Sequence, residues 1–457
     1  MGKLKLLDVD DGDLNTVFWK DREKSLTYAE VKAKAMDFGP LFANLPPSSI
    51  VAIHGYGPLE IWTLMLSAWS CGMSVLPFPI SASDEAIALA LEQLPWTIRL
   101  EKDAAGTERV ISNPVMGAVS DSDVFIMTSG SSGAPKAIAH TVASLMASAR
   151  ATLKFYSWQK GDCWLLSLDP SHIGGLQILM RTWVGRGICY YGGLPKDLAT
   201  VMSVRSFDFL SLVPTQLFRL LEDPRCEASL RQAKAILLGG AQTQDSLRHE
   251  LSALNLPISI TYGSSETASQ ISAFKVGQLP LAKEEVGDIL PLWKMTATAD
   301  KDLWIEGPAL MKGYWQSMVW HSVKEGRFLL SDRGDIHGRS LLLEGRKDQV
   351  FQVGGENLAP MEILSRIEAF YPLTDLQLHK KPDAIFGHVP RLIIRSRKEP
   401  DISRLLTAFE GLPPIKRPRE IWWFVSDEVS KLSLADLEHR LNTGDEHIKR
   451  LWIYEKI

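Results

Sequence analysis

The sequence predicts an α/β protein with a large N-terminal domain of doubly wound sheets, a small β-rich subdomain, and a smaller α+β C-terminal domain. Three observations support this fold class. Short apolar strands alternate with helices up to about residue 285, as in parallel sheets covered by helices on both faces. Short strand-like segments separated by turns follow, and helices mix with strands again from about residue 349. The 457 residues suffice for about two to four domains.

The predicted strands of the N-terminal domain are runs of aliphatic and β-branched residues that end at turn residues. They are Ser49–His54, Ser74–Phe78, Val124–Thr128, Cys163–Leu168, Gly187–Tyr191, Phe207–Leu212, Ala235–Leu238 and Ile258–Tyr262. The predicted helices are Leu59–Ser70, Val142–Phe155 and the stretches near 174–184, 214–222 and 244–254. The uncharged run Ile61–Ile80 has the length of a membrane span, but Gly72 and two prolines favour a buried helix followed by a strand.

The predicted boundary between the domains lies near Gly345–Asp348, which gives an N-terminal domain of residues 1–346 and a C-terminal domain of residues 347–457. The β-rich subdomain is expected near 285–346, where DLWIEG, RFLLSDRGDI and SLLLEGRKD have the pattern of strands. In the C-terminal domain we expect helices at 360–370 and 401–410 and strands near 374–379, 391–396 and 421–425.

The composition excludes several classes of protein. Lys+Arg total 50 and Asp+Glu total 54, a net charge of −4, which argues against a dedicated nucleic-acid binder. Four cysteines without a CxxC pair indicate a reducing, cytoplasmic setting. The N-terminus becomes acidic before an apolar stretch develops, so no signal peptide is expected. The absence of a GxSxG segment disfavours a serine hydrolase.

The segment Thr128–Lys136 (TSGSSGAPK) follows a predicted apolar strand and has the chemistry of a phosphate cradle. Its hydroxyls and glycine amides can donate to phosphate oxygens, and Lys136 supplies a positive charge. It is not a Walker A loop, because GxxxxGK[ST] is absent. A solvated Ser/Gly loop is the alternative interpretation.

Two acidic segments are further candidates for a nucleotide site. In Tyr262–Thr267 (YGSSET), Glu266 could hold Mg²⁺ and the neighbouring hydroxyls could bond phosphate; a capped helix start is the alternative. In SDRGD and the following EGRKD, Asp332 could take both hydroxyls of a ribose, and Arg346 could bind the sugar or a phosphate. Ordinary turn chemistry would explain the same residues.

Three candidates near or beyond these segments are weaker when taken alone. Gly354 and Gly355 would let a ligand approach the backbone closely, but a plain turn before a helix at Pro360 is the simpler interpretation. Lys431 has the pattern of a solvated surface lysine. His172, in the segment PSHIGG, has the pattern of a core histidine.

In their order and approximate spacing, these segments resemble the adenylate-forming superfamily of acyl-CoA synthetases, firefly luciferase and nonribosomal-peptide adenylation domains. The resemblance runs from about Val51 to Leu441. It implies two half-reactions: a carboxylate attacks the α-phosphate of MgATP to give an acyl-adenylate, and after rotation of the C-terminal domain the thiol of coenzyme A displaces AMP. Four segments resemble one subgroup of acid–thiol ligases that acts on an aryl acid: Phe209–Leu221, Ala235–Ala241, Ser331–Asp335 and Gly354–Asn357.

The resemblance also implies roles for residues around ATP. The loop expected to hold the β- and γ-phosphates comprises Thr128, Ser129, Gly130, Ser131, Ser132, Gly133 and Lys136. Glu266 would bind Mg²⁺, Ser265 would bind near the α-phosphate, and Asp332 would bind the ribose with Arg346 beside it. The residues expected to flank the adenine and the acyl group are Gly239, Gly240, Ala241 and Tyr262, with Gly263 and Ser264 next in the ATP-binding segment.

The remaining implied roles concern the acid, coenzyme A and the domain movement. Lys431 would bridge the substrate carboxylate and the α-phosphate in the first step and leave in the second. Gly354 and Gly355 would approach the pantetheine, Asp348 would be the hinge, and His172 matches a position of the acyl pocket. Three serines depart from the superfamily pattern: Ser265 replaces a threonine, and Ser331 and Ser430 replace glycines.

Other functions stay open at this point. The same two-step ligase could act on another aryl or medium-chain acid, and a nucleotide-binding pseudoenzyme is an alternative of another class. Lys136, Glu266, Asp332 and Lys431 argue against the pseudoenzyme, since a mere binder does not need Lys431. An amino-acid adenylation domain is less expected, because Asp208 is more simply a strand start than a partner for an ammonium group. The expected partners are a carboxylic acid, ATP and coenzyme A, with no nucleic acid and no membrane span; a homo-oligomer is compatible with the sequence.

Overall fold

The computed structural model describes residues 12–113, 122–128, 135–193, 197–240, 251, 253–280, 284–347, 351–353, 356–358, 360–368, 375–383, 386–396, 398–410, 412–425, 439–440, 442–445 and 447–453. The strands are β1 (Val17–Lys20), β2 (Ser25–Thr27), β3 (Ile50–His54), β4 (Ser74–Pro77), β5 (Ile98–Lys102), β6 (Glu108–Ser112), β7 (Val124–Thr128), β8 (Lys136–His140), β9 (Cys163–Leu165), β10 (Ile188–Tyr190), β11 (Phe209–Leu212), β12 (Ala235–Leu238), β13 (Ile258–Ser264), β14 (Ser269–Ala273), β15 (Glu285–Ile289), β16 (Lys294–Ala297), β17 (Asp302–Glu306), β18 (Gly313–Gln316), β19 (Val319–Ser322), β20 (Arg327–His337), β21 (Ser340–Arg346), β22 (Phe351–Val353), β23 (Glu356–Leu358), β24 (Asp375–Asp383), β25 (Gly387–Arg395), β26 (Glu420–Phe424) and β27 (Ile448–Ile453).

The described helices lie mostly between the parallel strands. They are α1 (Tyr28–Asp37), α2 (Gly39–Phe42), α3 (Pro58–Ser70), α4 (Asp84–Leu91), α5 (Val142–Phe155), α6 (Ile173–Val184), α7 (Leu198–Met202), α8 (Pro214–Leu221), α9 (Glu227–Gln232), α10 (Pro360–Glu368) and α11 (Ile402–Ala408), with 3₁₀ turns at Pro224–Cys226, Ser265–Thr267 and Pro414–Lys416. The helix predicted near 244–254 falls largely outside the described residues.

Two large sheets form the N-terminal part of the chain. The 13-stranded sheet has the order β16-β17-β20-β21-β15-β14-β13-β12-β11-β9-β10-β1-β2, and the eight-stranded sheet has the order β19-β18-β8-β7-β4-β3-β5-β6. The centre of each sheet is parallel, as predicted for a doubly wound fold. Antiparallel strands extend both sheets at their edges.

The β-rich segment after residue 285 contributes to both sheets. Strands β15–β17, β20 and β21 continue the 13-stranded sheet, whereas β18 and β19 add to the eight-stranded sheet beside β8. Strand β8 itself was not among the predicted strands: the Ser/Gly loop leads into it before α5 begins, and β8 pairs antiparallel with β7. The loop therefore connects two neighbouring strands.

The main core lies between the two large sheets. Buried residues of α3, α5 and α6 share one apolar cluster with residues from one face of each sheet, and Trp62, Trp69 and Trp183 pack edge to face within it. Helix α3 begins at Pro58, where the Glu60 side chain accepts from the Gly57 amide at 2.9 Å. The uncharged run thus forms a 13-residue buried helix followed by β4. Among the helices that the structure describes, none combines the length and apolar composition needed to cross a membrane.

The outer faces of the two sheets are covered by the remaining helices. A second apolar cluster joins α7, α8 and α9 to the 13-stranded sheet, and a third joins α4 to the eight-stranded sheet. From Phe351 onwards, α10 and α11 pack on a sheet of order β24-β25-β26-β27 with an apolar cluster of their own. The two helices and the three strands expected in this region are present as α10, α11, β24, β25 and β26, whereas β22, β23 and β27 were not predicted.

Candidate functional site

The predicted ATP-binding segments come together where strands of the 13-stranded sheet end. The Tyr262 hydroxyl, on β13, donates to Asp332 Oδ2 at 2.7 Å, although 70 residues separate the two. Asp332 on β20 lies opposite Arg346 in the antiparallel pair with β21. Burial and the neighbouring Asp332 carboxylate raise the pKa of Tyr262 well above its ordinary value. The tyrosine therefore stays protonated and remains a donor at neutral pH.

The segment between β13 and β14 is a tight turn, which makes both neighbouring strands converge. Ser264 is the N-terminal cap of the Ser265–Thr267 turn, and its amide donates to Thr267 Oγ1 at 3.2 Å. The chain leaves the turn through Ala268 at φ 50° and Ser269 at φ 107°. A Cβ atom at Gly263 would collide with the Ser269 carbonyl, so glycine is required there.

Glu266 is the one carboxylate inside this turn, and it is half-buried. Its carbonyl accepts from the Met311 amide at 2.8 Å, which fixes the backbone of the residue. Its charge contributes to the raised pKa of Tyr262, so its carboxylate lies near the Tyr262–Asp332 pair. Within the described part of the chain the Glu266 side chain forms no ion pair. No group of three or more His, Cys, Asp or Glu side chains gathers there for a metal. A single carboxylate suits Mg²⁺ that is shared with phosphate oxygens.

The two described ends of the Ser/Gly loop face each other across the β7–β8 pair. Thr128 is opposite Lys136, and the Thr128 hydroxyl donates to the Lys136 carbonyl at 3.5 Å. The Lys136 ammonium lies 4.9 Å from the ring centroid of Tyr314. Tyr314 in turn stacks on His321 at 4.7 Å between ring centroids. The lysine is thereby held by a cation–π contact with the β18–β19 hairpin.

Gly239 and Gly240 follow β12, which is the neighbour of β13 in the sheet. Gly240 has φ +82°, a backbone conformation that is unfavourable for residues other than glycine. A Cβ atom at Gly239 would come within 2.5 Å of Thr261 Oγ1. Because both residues are glycines, no side chain covers the backbone beside Tyr262.

His172 and the apolar cavity lie at the same edge of the 13-stranded sheet. His172 is the N-cap of α6 and is exposed, which argues against a core role. A cavity of about 170 Å³ lies between Leu165–Pro170, Tyr191–Gly193 and Tyr56–Pro58. None of the sequence-predicted site residues lines this cavity.

Arg181 is a polar residue of this region that the sequence analysis did not single out. It lies on α6 with 2% of its surface exposed, and its guanidinium stacks over Trp164 at 5.3 Å. Nη2 donates to Ser269 Oγ at 3.1 Å, whereas Nε has no hydrogen-bond partner among the described residues. Burial lowers its pKa to about 10, so it remains charged at neutral pH. No described carboxylate pairs with it. The signal in the sequence was a lone charge within the apolar helix IGGLQILMRTWV.

His140 was also missed, because nothing in the sequence sets it apart from an ordinary strand residue. It is fully buried at the end of β8, and its Nε2 lies 2.6 Å from the Ser265 carbonyl oxygen. Burial lowers its pKa to about 4, so the ring is neutral at pH 7.

Several predicted residues lie outside the described part of the chain. They are Ser129, Gly130, Ser131, Ser132, Gly133, Ala241, Asp348, Gly354, Gly355 and Lys431. The described residues that the structure brings together are Gly239, Gly240, Tyr262, Gly263, Ser264, Ser265, Glu266, Asp332 and Arg346 on the 13-stranded sheet, with Thr128 and Lys136 on the other sheet.

Solved structures share this fold. An arginine-to-lysine variant of E. coli MenE with bound OSB-AMS aligns with a TM-score of 0.77 at 24% identity, over 96% of this chain and 98% of that one. The Bacillus subtilis o-succinylbenzoate coenzyme A synthetase (MenE) in complex with ATP and magnesium ion aligns with a TM-score of 0.76 at 19% identity, over 94% and 96% of the two chains.

Sequence comparison gives the family. A model described as "AMP-binding enzyme" matches residues 101–315. The 2-succinylbenzoate–CoA ligase of Escherichia coli (strain K12) is 28% identical over 391 residues, which cover 82% of this chain and 84% of that protein. The 2-succinylbenzoate–CoA ligase of Haemophilus influenzae is 30% identical over 351 residues, covering 76% and 75% of the two chains. The chain therefore belongs to the AMP-binding enzyme family, together with these 2-succinylbenzoate–CoA ligases.

Proposed function

We propose that this chain joins o-succinylbenzoate to coenzyme A with ATP through an acyl-adenylate, and that AMP and pyrophosphate are released. Both sequence relatives are named for this activity. The segments named above for their resemblance to one subgroup of acid–thiol ligases resemble those of the o-succinylbenzoate–CoA ligases. They are Phe209–Leu221, Ala235–Ala241, Ser331–Asp335 and Gly354–Asn357. The reaction is a step of menaquinone biosynthesis, and the chain is an AMP-forming acyl-CoA ligase.

In the first half-reaction, the substrate carboxylate attacks the α-phosphate of ATP. No covalent enzyme intermediate is needed, so the protein contributes positioning and charge neutralisation. Glu266 would hold Mg²⁺, which supplies positive charge at the phosphates. Thr128 and Lys136 would hold the β- and γ-phosphates together with Ser129, Ser131 and Ser132 of the loop.

The nucleoside would bind beside the Tyr262–Asp332 pair. Tyr262 occupies one oxygen of the Asp332 carboxylate at 2.7 Å and thereby orients it. The carboxylate would accept from the ribose hydroxyls, with Arg346 beside it. Gly239, Gly240 and Ala241 would flank the adenine, since a bare backbone allows close approach. Ser265 would bind near the α-phosphate.

The observation that carries the choice of acid is the buried charge of Arg181, with which no carboxylate of the described residues pairs. The anion 2-succinylbenzoate has two carboxylates, and only one of them becomes the acyl-adenylate. The other stays charged, and its burial requires a cation with matching donors. Arg181 offers an unpartnered Nε and a charge without a described counter-ion. A monocarboxylic acid would leave that charge uncompensated.

Two residues of helix α6 and its N-cap are assigned to the two ends of the acid. His172 lies at the N-cap position of α6, and Arg181 lies nine residues further on, about 13 Å along the axis. His172 would face the reacting end of the acid, and Arg181 the carboxylate that is not activated.

The second half-reaction would use the C-terminal domain, residues 347–457. This domain would rotate about Asp348, so that Gly354 and Gly355 approach the pantetheine and the thiol of coenzyme A displaces AMP. Lys431 would bridge the carboxylate and the α-phosphate in the first step only.

Lys431→Ala tests this division of labour. The variant should lose adenylate formation but still convert preformed acyl-adenylate and coenzyme A to the thioester. Pyrophosphate exchange measures the first step and thioester release measures the second. Normal adenylation by the variant would remove Lys431 from the proposal.

The substrate is tested by mass spectrometry of products after incubation with MgATP, coenzyme A and a panel of acids. The panel includes o-succinylbenzoate and 3-benzoylpropionate, which lacks only the ring carboxylate. The expected result is the thioester of o-succinylbenzoate, formed far faster than any other. Thioesters of other aryl or medium-chain acids alone would keep the mechanism and change the substrate. ATP binding without AMP or thioester formation would favour a pseudoenzyme.

We further propose a cytoplasmic location, with no nucleic-acid partner. The reducing setting indicated by the cysteines and the near-neutral charge support this. Formation of a homo-oligomer is a separate question for light scattering of the purified chain.

A further inference from the structure

The side chain of His140 crosses from one large sheet to the other. His140 is the last residue of β8 in the eight-stranded sheet, whereas Ser265 follows β13 of the 13-stranded sheet. The imidazole Nε2 lies 2.6 Å from the Ser265 carbonyl oxygen, and the histidine is 0% exposed. A bond of this length in a dry site is stronger than its equivalent in water.

The partners of the ring define its hydrogen-bonding state. A carbonyl oxygen can only accept, so Nε2 carries the hydrogen and Nδ1 of the neutral ring does not. Nδ1 lies 3.2 Å from the Ser144 hydroxyl, whose one proton also has the Thr141 carbonyl as an acceptor at 2.9 Å. Only Nε2 reaches the neighbouring sheet.

The bond connects the two halves of the proposed ATP site. Strand β8 begins at Lys136 and ends at His140, so about 13 Å of rigid strand separate the two residues. Ser265 immediately precedes Glu266. The displacement of one sheet against the other would therefore change the distance between the lysine and the carboxylate that act on the same triphosphate.

A second, backbone connection lies beside the histidine. The Met311 amide donates to the Glu266 carbonyl at 2.8 Å, and the Lys312 amide donates to the Ala139 carbonyl at 2.9 Å. Two consecutive amides thus bond to the two sheets at the residues next to Ser265 and His140. His140 supplies the side-chain connection at this junction.

We propose that His140 is a positioning residue for adenylation, which fixes the Ser265–Thr267 turn against β8 so that Glu266 and Lys136 engage the same MgATP. The inference rests on the proposed function for the roles of Glu266 and Lys136. It assigns His140 no contact with ATP or the acid. It makes the affinity for MgATP depend on one donor at the position of Nε2.

A matched pair of substitutions separates the two ring nitrogens. The amide nitrogen of glutamine lies as many bonds from Cβ as Nε2 and can donate to Ser265, whereas that of asparagine matches Nδ1 and falls short. We expect H140N to weaken MgATP binding by about 10- to 100-fold and H140Q to stay within about threefold of the wild type. Calorimetric titration of the full chain with MgATP measures this without any acid.

Two further measurements distinguish positioning from general damage. The reaction of preformed o-succinylbenzoyl-adenylate with coenzyme A should be unchanged in both variants, because it does not use the triphosphate. Thermal unfolding without ligand checks that H140Q and H140N are folded. Equal losses of MgATP affinity in H140Q and H140N, or none in H140N, would overturn the inference. Failure of the wild type to convert o-succinylbenzoate would instead contradict the proposed substrate and leave the MgATP comparison intact.

Discussion

Two polar regions border the Ser265–Thr267 turn, the proposed nucleotide side and the proposed acid side, and they differ in how far hydrogen bonds pair their polar groups. On the nucleotide side, Tyr262 bonds Asp332 and His140 bonds the Ser265 carbonyl. On the acid side, the Arg181 guanidinium bonds to one described group, the Ser269 hydroxyl, and its Nε has no partner among the residues that the structure describes. Complete hydrogen bonding rigidifies a site, whereas an uncompensated buried charge lowers the free energy of unfolding. Under the proposed function, the nucleotide side is therefore organised before ligands bind, and the acid itself completes the acid side.

The largest effect is expected from Arg181→Leu, which removes the cation of the acid side and leaves the residues of the nucleotide side unchanged. kcat/KM for o-succinylbenzoate should fall by about 100- to 1000-fold, because a buried carboxylate loses its cation, a loss of about 3–4 kcal/mol. KM for MgATP should stay within twofold of the wild type, and the unfolding temperature should not fall. Steady-state kinetics and thermal unfolding measure these quantities.

Two comparisons control this experiment. Arg181→Lys keeps the charge but not the fork of donors, so its kcat/KM should be intermediate. Activity on 3-benzoylpropionate should change little in Arg181→Leu, since that acid lacks the ring carboxylate. An equal loss of kcat/KM for both acids would mean that Arg181 does not bind the second carboxylate.

Low pH should lower the free energy of unfolding, because His140 on the nucleotide side is buried as a neutral ring. The unfolded chain binds a proton at the ordinary histidine pKa of 6.5, whereas the folded chain binds it only at about 4. The unfolded state thus binds more protons in this window, so the free energy of unfolding falls as the pH drops from 6.5 towards 4. The full loss is about 3 kcal/mol.

Urea unfolding at pH 7, 6 and 5 measures this slope, and H140Q isolates the contribution of the histidine from other titrating groups. The wild type should lose more stability than H140Q on acidification. Parallel pH profiles for the two proteins would show that His140 is not a buried neutral ring.

Tyr262→Phe removes the hydrogen bond that the Tyr262 hydroxyl donates to Asp332 on the nucleotide side. We expect KM for MgATP to rise about tenfold, since a hydrogen bond to a charged group is worth about 1.5–3 kcal/mol. KM for o-succinylbenzoate should be nearly unchanged. A larger effect on the acid than on MgATP would contradict the division into two sides.

The smallest effect is expected at Tyr314, on which Lys136 rests. Tyr314→Leu should raise KM for MgATP by about two- to fivefold, because a partly exposed cation–π contact contributes about 0.5–1 kcal/mol. Tyr314→Phe keeps the aromatic face and should match the wild type. An equal effect of both substitutions would point to the hydroxyl instead.

Sequence patterns predicted most of the regular structure, because buried parallel strands are continuous apolar runs with turn residues at their ends. Strands β3, β7 and β12 and helix α5 lie at or within one residue of the predicted bounds. Strand β8 was missed, since a Ser/Gly loop with a lysine is as typical of a strand–helix connection as of a hairpin. Strands β18 and β19 join the eight-stranded sheet because β18 pairs with β8. This pairing joins distant segments of the chain, which local sequence patterns do not encode.

The candidate site divides in the same way. Glu266 and Asp332 lie in segments with recognisable turn chemistry, so the sequence pointed to them. The hydrogen bond between Tyr262 and Asp332 spans 70 residues and becomes visible only in the fold. Arg181 and His140 stand out because of what surrounds them. Arg181 has no counter-ion within the described part of the chain, and His140 faces the Ser265 carbonyl across the two sheets.

The path of the chain between the two sheets has a consequence for its synthesis. Strand β18, beginning at Gly313, covers the edge of β8, which ends at His140. A ribosome that adds about 5–20 residues per second needs roughly ten to thirty-five seconds to make the intervening segment. During that time β8 presents open backbone donors and acceptors, which favours aggregation. Nascent chains that stop before the β18–β19 hairpin should therefore depend on chaperones far more than the complete protein does.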